Sequence, residues 1–191
     1  FNGTAGVWRR QAIVDGGGWQ HDTVTEDLDL SYRSQHAGWR FLYLPDVVVP
    51  AELPADIRSF RSQQRRWAKG SVQTGRKLLG RLLRADLPWE VRLEAGFHLT
   101  NNLSYPLIIV LSALIFPAMV IRRGSPIEVL LTVDLPLFLT ATVPVLVFYG
   151  TSQLARGGGG ARALLALPAV MAVGIGPAAG NAPAVVRGRL E

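Results

Sequence analysis

The run from Leu103 to Ile121 limits this chain more than any other feature: 19 consecutive residues carry no charged side chain. About 20 apolar residues in a helix match the hydrocarbon thickness of a bilayer. A second run, Val129 to Tyr149, is apolar except for Asp134, and a third, Ala163 to Ala179, is apolar but rich in Gly, Ala and Pro. Buried helices of a water-soluble core are a poor account of such runs in close succession. Charge follows the same division. Residues 1–100 hold 14 of the 20 Lys and Arg and 11 of the 14 Asp and Glu. The first half is therefore expected in water and the second in lipid. Asp134 stands near the start of its run, which suits the interface better than the bilayer centre. The glycine-rich stretch from Arg156 to Arg162 reads as a loop between spans.

Composition narrows the function further. There is no Cys, so disulfides and thiolate metal sites are excluded. The opening Phe1-Asn2-Gly3 carries neither an initiator Met nor a signal-peptide pattern, and the chain is expected to be a piece of a longer protein. From Arg58 to Arg84 there are nine basic residues and no acidic one. Beside a membrane, such a segment suits anionic headgroups or a phosphorylated ligand. No nucleic-acid-binding signature accompanies it, and no nucleic acid is expected as a partner. The basic first half places residues 1–100 on the cytoplasmic side; Arg156 and Arg162 agree with that bias, and Arg122-Arg123 oppose it.

Residues 1–56 read as mixed α/β. A helix from Arg9 to Val14 is stopped by Asp15-Gly16-Gly17-Gly18. Thr25-Glu26-Asp27 opens a second helix, because Thr is a preferred N-cap and acids suit the positive helix end. Gly38 closes it. Trp39 to Leu44 and Val47 to Val49 read as short strands ended by Pro45 and Pro50. Residues 57–100 read as amphipathic interface helices, with Leu78, Leu79, Leu82 and Leu83 as an apolar stripe. Pro88-Trp89 marks a break and an interfacial anchor. Residues 101–191 read as transmembrane helices and a C-terminal segment.

Two short motifs carry chemistry. The first is Thr25-Glu26-Asp27-Leu28-Asp29. The second, about 36 residues later, is Gln63-Gln64-Arg65-Arg66-Trp67. On a helix, Gln63, Arg66 and Trp67 share one face at spacings of three and four. An indole can stack on the apolar face of a pyranose, and Gln and Arg can donate hydrogen bonds to sugar or diphosphate oxygens. Taken alone, the first motif could be only a helix cap and the second only a basic interfacial helix with a Trp anchor. Asp27 and Asp29 look like a D-x-D metal pair, but Asp29 is expected one turn along the helix, salt-bridged or solvated. His21, His36 and His98 lack metal-ligand spacing. Gly157 to Gly160 lacks the Lys-Ser/Thr of a phosphate loop.

In this order, and followed by apolar spans, the motifs resemble the TED and Q-(Q/R)-x-R-W motifs of family-2 glycosyltransferases of the cellulose-synthase, mannan-synthase and hyaluronan-synthase type. The strings F-N-G-T, T-E-D-L-D-L-S-Y-R, G-W-R and S-Q-Q-R-R-W-A-K-G-S extend the likeness, which is nearest to the branch making β-mannan and glucomannan. The resemblance implies the remnant of an α/β GT-A catalytic domain (residues 1–56) leading into interface helices and membrane spans. It implies a processive, inverting β-hexosyltransferase that uses a nucleotide-sugar donor, a divalent cation such as Mg or Mn, and a growing polysaccharide as acceptor. By the same resemblance Asp27 is the catalytic base, with Glu26 and Thr25 shaping its surroundings. Trp67 contacts the acceptor's terminal sugar, while Gln63, Gln64 and Arg66 help hold the nucleotide diphosphate. Phe1, Asn2, Gly3 and Thr4 match a loop near both sugars. The family's metal-binding D-x-D lies upstream of TED, so no metal ligand is expected among these 191 residues, and the piece alone is expected to be inactive. Two alternatives stay open: single-sugar transfer to a lipid acceptor, and a non-enzymatic membrane protein whose basic helix binds lipid or a partner.

Overall fold

The computed structural model describes residue 1, residues 3–155 and residues 160–190. In chain order the helices are α1 (Arg10–Asp15), α2 (Glu26–His36), α3 (Ile57–Arg84), α4 (Trp89–Thr100), α5 (Ser104–Ile121), α6 (Ile127–Val129), α7 (Leu135–Ala155), α8 (Gly160–Ile175) and α9 (Ala178–Leu190). A 3-10 turn, Asn101–Leu103, joins α4 to α5, and a π turn, Leu130–Asp134, joins α6 to α7. The chain divides into two compact units, Phe1–Leu107 with Pro177–Glu191, and Ile108–Gly176.

The first unit is built on α3. Asp56 caps this helix: its carboxylate accepts from the backbone N–H of Arg58 at 2.7 Å and of Ser59 at 2.9 Å, two donors that have no partner inside the helix. These hydrogen bonds hold the Asp56 carboxyl below the usual carboxylate range. No proline interrupts the next 28 positions, and one long helix results despite three glycines. Ala85–Pro88 turns the chain, and α4 packs back along α3 with Leu78 and Leu82 buried against Ala95 and Leu99. Each buried leucine contributes about 1.5–3 kcal/mol. Leu83, expected in the same stripe, stays exposed. On another face of α3, α9 buries Val185 against Ala68 and Val72, and Gly188 lets its backbone approach Lys69.

The N-terminal helices form as the sequence predicts. α1 stops at Gly16, and α2 begins after Thr25 with three acids in its first turn. Gly38 closes α2, and Trp39 N–H bonds back to the Ser34 carbonyl at 3.1 Å. The short strands expected at 39–44 and 47–49 do not form: no strand occurs among the described residues. Both segments are rich in strand-favouring residues, but strand backbone needs a hydrogen-bonded neighbour, and none lies alongside among the described residues. Leu42, Tyr43 and Val48 are all more than 80% exposed.

The second unit holds most of α5 together with α6, α7 and α8. Trp89–Ile121 and Ile127–Ala155 are each long and apolar enough to cross a membrane. Leu114, Phe116, Phe138 and Phe148 point outward, as lipid-facing side chains do. Several hydroxyls bond back within their own helices: Ser112 donates to the Ile108 carbonyl at 2.8 Å and Thr151 to Val147 at 2.8 Å. Asp134, the one acid in its run, pairs with Arg122. The third apolar run is interrupted: α8 ends at Ile175 and α9 starts afresh at Ala178. Of the loop expected at 156–162, residues 156–159 lie outside the described residues, and Gly160 already belongs to α8.

Candidate active site

The start of α2 is fixed against one face of α3. Thr25 precedes the helix but makes no capping hydrogen bond; its hydroxyl instead meets the Thr74 hydroxyl at 3.3 Å in a buried contact. The Thr is thus a docking residue rather than the self-cap its position suggests. Above it, Val24 N–H donates to Gln73 Oε1 at 3.0 Å. Beneath it lies Gly70, where a Cβ would meet the Thr25 side chain and backbone N at 2.5–2.8 Å. Only glycine lets the two segments approach this closely. Gln63, Arg66, Trp67, Gly70, Gln73, Thr74 and Lys77 continue one series of three- and four-residue steps, so a single face of α3 carries both the second motif and the seat for the first.

Asp29, the second acid of the apparent D-x-D, is fully buried. Arg33 Nη2 lies 2.7 Å from its Oδ2, and Lys77 Nζ lies 2.9 Å from its Oδ1. Arg33 also donates to the carbonyls of Gly16 and, at 2.9 Å, Gly18, which ties the turn after α1 to α2. Lys77 reaches Gln20 Oε1 at 2.6 Å and Asp22 at 2.9 Å, and its hydrogen bond holds the Asp22 carboxyl below its usual range. With both oxygens committed to cations and no path to solvent, Asp29 does not fit a metal ligand. No metal-binding group of His, Asp or Glu occurs among the described residues.

Asp27 points the other way, toward the N-terminal loop. Gly3 sits against it at φ +84, a left-handed conformation that favours glycine, and a Cβ there would collide with Asp27 Oδ2. The loop is held by aromatic packing: Phe1 meets Trp8 edge-on with ring centroids 5.5 Å apart and stacks on Phe41 at 6.5 Å. The Phe1 carbonyl accepts from the Ser31 hydroxyl at 3.0 Å.

Between these parts lies a cleft of about 420 Å³. Thr25 and the first residues of α2, Glu26 and Asp27, line it on one side, Gln63, Arg66 and Trp67 from α3, and Phe1, Gly3 and Thr4 from the loop. The indole of Trp67 is 45% exposed and available for stacking. Residues some 36–40 positions apart in sequence thus share one cavity. Gln64 does not line it, because one residue along a helix is a rotation of about 100° away from the Gln63 face. Asn2 lies outside the described residues. Trp19 and Val24 also line the cleft, and no motif in the sequence marks them. Gln73, Thr74 and Lys77 were equally unmarked by either motif, although the spacing of α3 would have found them once α2 was known to dock there.

A carboxylate, an amide, a guanidinium and an indole around one cavity suit a carbohydrate and an anionic leaving group, and the comparisons with known proteins agree. The chain is 46% identical over 86 residues to glucomannan 4-beta-mannosyltransferase 7 of Arabidopsis thaliana, covering 45% of this chain and 16% of that protein. It is 39% identical over 126 residues to probable glucomannan 4-beta-mannosyltransferase 3 of Oryza sativa subsp. japonica, covering 60% and 23%. It is 35% identical over 150 residues to glucomannan 4-beta-mannosyltransferase 1 of Cyamopsis tetragonoloba, covering 76% and 28%. The chain therefore spans between a sixth and somewhat over a quarter of the length of these relatives. No solved structure matches it. Residues 1–151 match the family described as glycosyl transferase family group 2, and the chain belongs to that family.

Proposed function

We propose that this chain supplies the catalytic base and the acceptor-binding face of a membrane-bound, processive, inverting β-glycosyltransferase that polymerises hexoses from a nucleotide-sugar donor. The observation that carries this reading is the shared cleft, with Asp27 on one wall and Gln63, Arg66 and Trp67 on the other. In the proposed reaction the Asp27 carboxylate takes the proton of an acceptor hydroxyl. The freed oxygen attacks the anomeric carbon opposite the bond to the nucleotide diphosphate. The carbon–oxygen bond to the diphosphate breaks, the configuration inverts, and the diphosphate leaves with the electron pair. Trp67 stacks on the acceptor sugar, and Gln63 and Arg66 hydrogen-bond sugar or diphosphate oxygens. Gln64 does not line the cleft and is left out of this assignment.

The donor's divalent cation, Mg or Mn, is assigned to parts of the longer protein, since the Asp27-Leu28-Asp29 stretch does not fit one. The unpaired segments at 39–44 and 47–49 are read as strands of an α/β GT-A domain that pair only with backbone outside this chain. The relatives named for glucomannan synthesis support mannose and glucose as the sugars and a polymer as the product. The positive-charge bias of residues 1–100 supports a cytoplasmic catalytic side. Asp27→Asn in the intact enzyme tests the base: transfer should fall by about 10²–10⁴-fold while donor binding is kept. Unchanged turnover would remove Asp27 from this role.

A further inference from the structure

A second cleft, of about 540 Å³, lies along the C-terminal half of α3 and shares no residue with the first. His36, Arg76, Lys77, Gly80, Arg81 and Arg84 line it, and no carboxylate does. Gly80 forms an open floor: a Cβ there would meet nothing within 4 Å. Two of the cations are held in place. Lys77 is anchored by Asp22 and Asp29, and Arg76 donates to the Gly188 carbonyl at 3.2 Å. Arg81 and Arg84 have no carboxylate partner among the described residues, although they stand three apart on one face and Lys77 stands four before Arg81. Like charges at these spacings repel. The helix C-terminus favours cations in the last turn of α3, which accounts for Arg84 and Arg81 as single residues. It does not account for their convergence with Arg76, Lys77 and His36 on a hollow with a glycine floor.

We propose that this cleft binds a phosphate-bearing anion, at a site separate from the sugar-transfer cleft. Guanidinium groups match phosphate oxygens in bidentate pairs, and two anchored cations with two free arginines suit a dianion better than a single carboxylate. The volume accommodates a phosphate ester or a diphosphate. Such a group can come from a free phosphorylated metabolite or from a phosphomonoester lipid headgroup.

The test uses the intact protein in nanodiscs of neutral lipid, with radiolabelled inorganic phosphate and pyrophosphate as probes. A parallel set of nanodiscs contains phosphatidate. Binding should weaken with salt, and the double change Arg81→Ala with Arg84→Ala should weaken it roughly tenfold or more. Gly80→Trp, which fills the floor without removing charge, should also block it and serves if the double variant fails to fold. Loss of free-probe binding supports the proposal with a soluble ligand. Loss confined to phosphatidate discs supports it with a lipid headgroup. Equal binding by wild type and both variants, or no binding in either arm, overturns it.

Discussion

The closest approach between the two motifs makes a quantitative prediction. At Gly70 an added methyl would lie 2.5 Å from Thr25 Cγ2 and 2.8 Å from Thr25 N, so backbone as well as side chain must give way. Overpacking of this kind costs about 1–3 kcal/mol. Alanine also brings a helix-propensity gain over glycine of about 0.8–1.0 kcal/mol. At Gly96, inside α4, an added Cβ would meet nothing within 4 Å, so alanine there would receive the gain without the clash. Gly70→Ala and Gly96→Ala therefore share the favourable contribution and differ in the steric one. Their apparent unfolding free energies, from tryptophan fluorescence of the intact protein in detergent, should be separated by about 1–3 kcal/mol, with Gly96→Ala the more stable. Because Thr25 leads directly into Glu26 and Asp27, Gly70→Ala should also lower kcat/KM by up to about 10²-fold, the scale of a misplacement near 1 Å. Equal stability of the two variants would refute the claim that α2 and α3 meet at backbone distance here.

Further outcomes are expected. Trp67→Ala should lower kcat/KM for acceptor extension by roughly 10- to 100-fold, and Trp67→Phe should recover part of it, as measured by chain-elongation kinetics. Arg33→Met removes one of the two cations on the buried Asp29 and strands two carbonyls, and denaturation should show a loss of about 3–5 kcal/mol. Tyr32 donates to or accepts from His98 Nδ1 at 2.7 Å, and burial, with a smaller contribution from Glu94, raises its phenol to about 12. Since the folded state holds this proton more tightly, stability should be whole below about pH 10 and decline as the pH rises from there toward 12. Tyr32→Phe should flatten that decline in a pH series of unfolding midpoints.

Much of this arrangement was legible from residue spacing. The uncharged runs located the two long apolar helices because lipid-facing helices need no partner pattern, only length. The three- and four-residue steps of Gln63, Arg66 and Trp67 gave the face that lines the cleft, since a helix fixes its own geometry locally. What was not legible depended on contacts across the chain. Nothing local distinguishes a Thr25 that caps its helix from one that docks on Thr74. Gly70 looked like an ordinary helix glycine until α2 was placed against it. Asp29 was expected to be salt-bridged or solvated; its complete burial between Arg33 and Lys77 follows from the packing of three segments. The partial alternation at 39–44 and the apolar run at 47–49 promised strands, but a strand is a property of a pair, and no strand forms among the described residues.

The central claim is that Asp27 and Trp67 serve one sugar. It is tested most directly by determining the structure of the intact enzyme with an acceptor oligosaccharide bound. The account predicts the terminal sugar ring stacked on the Trp67 indole, with its reacting hydroxyl within about 3 Å of the Asp27 carboxylate. A terminal sugar that contacts one of these side chains while the other faces a different cavity would contradict it.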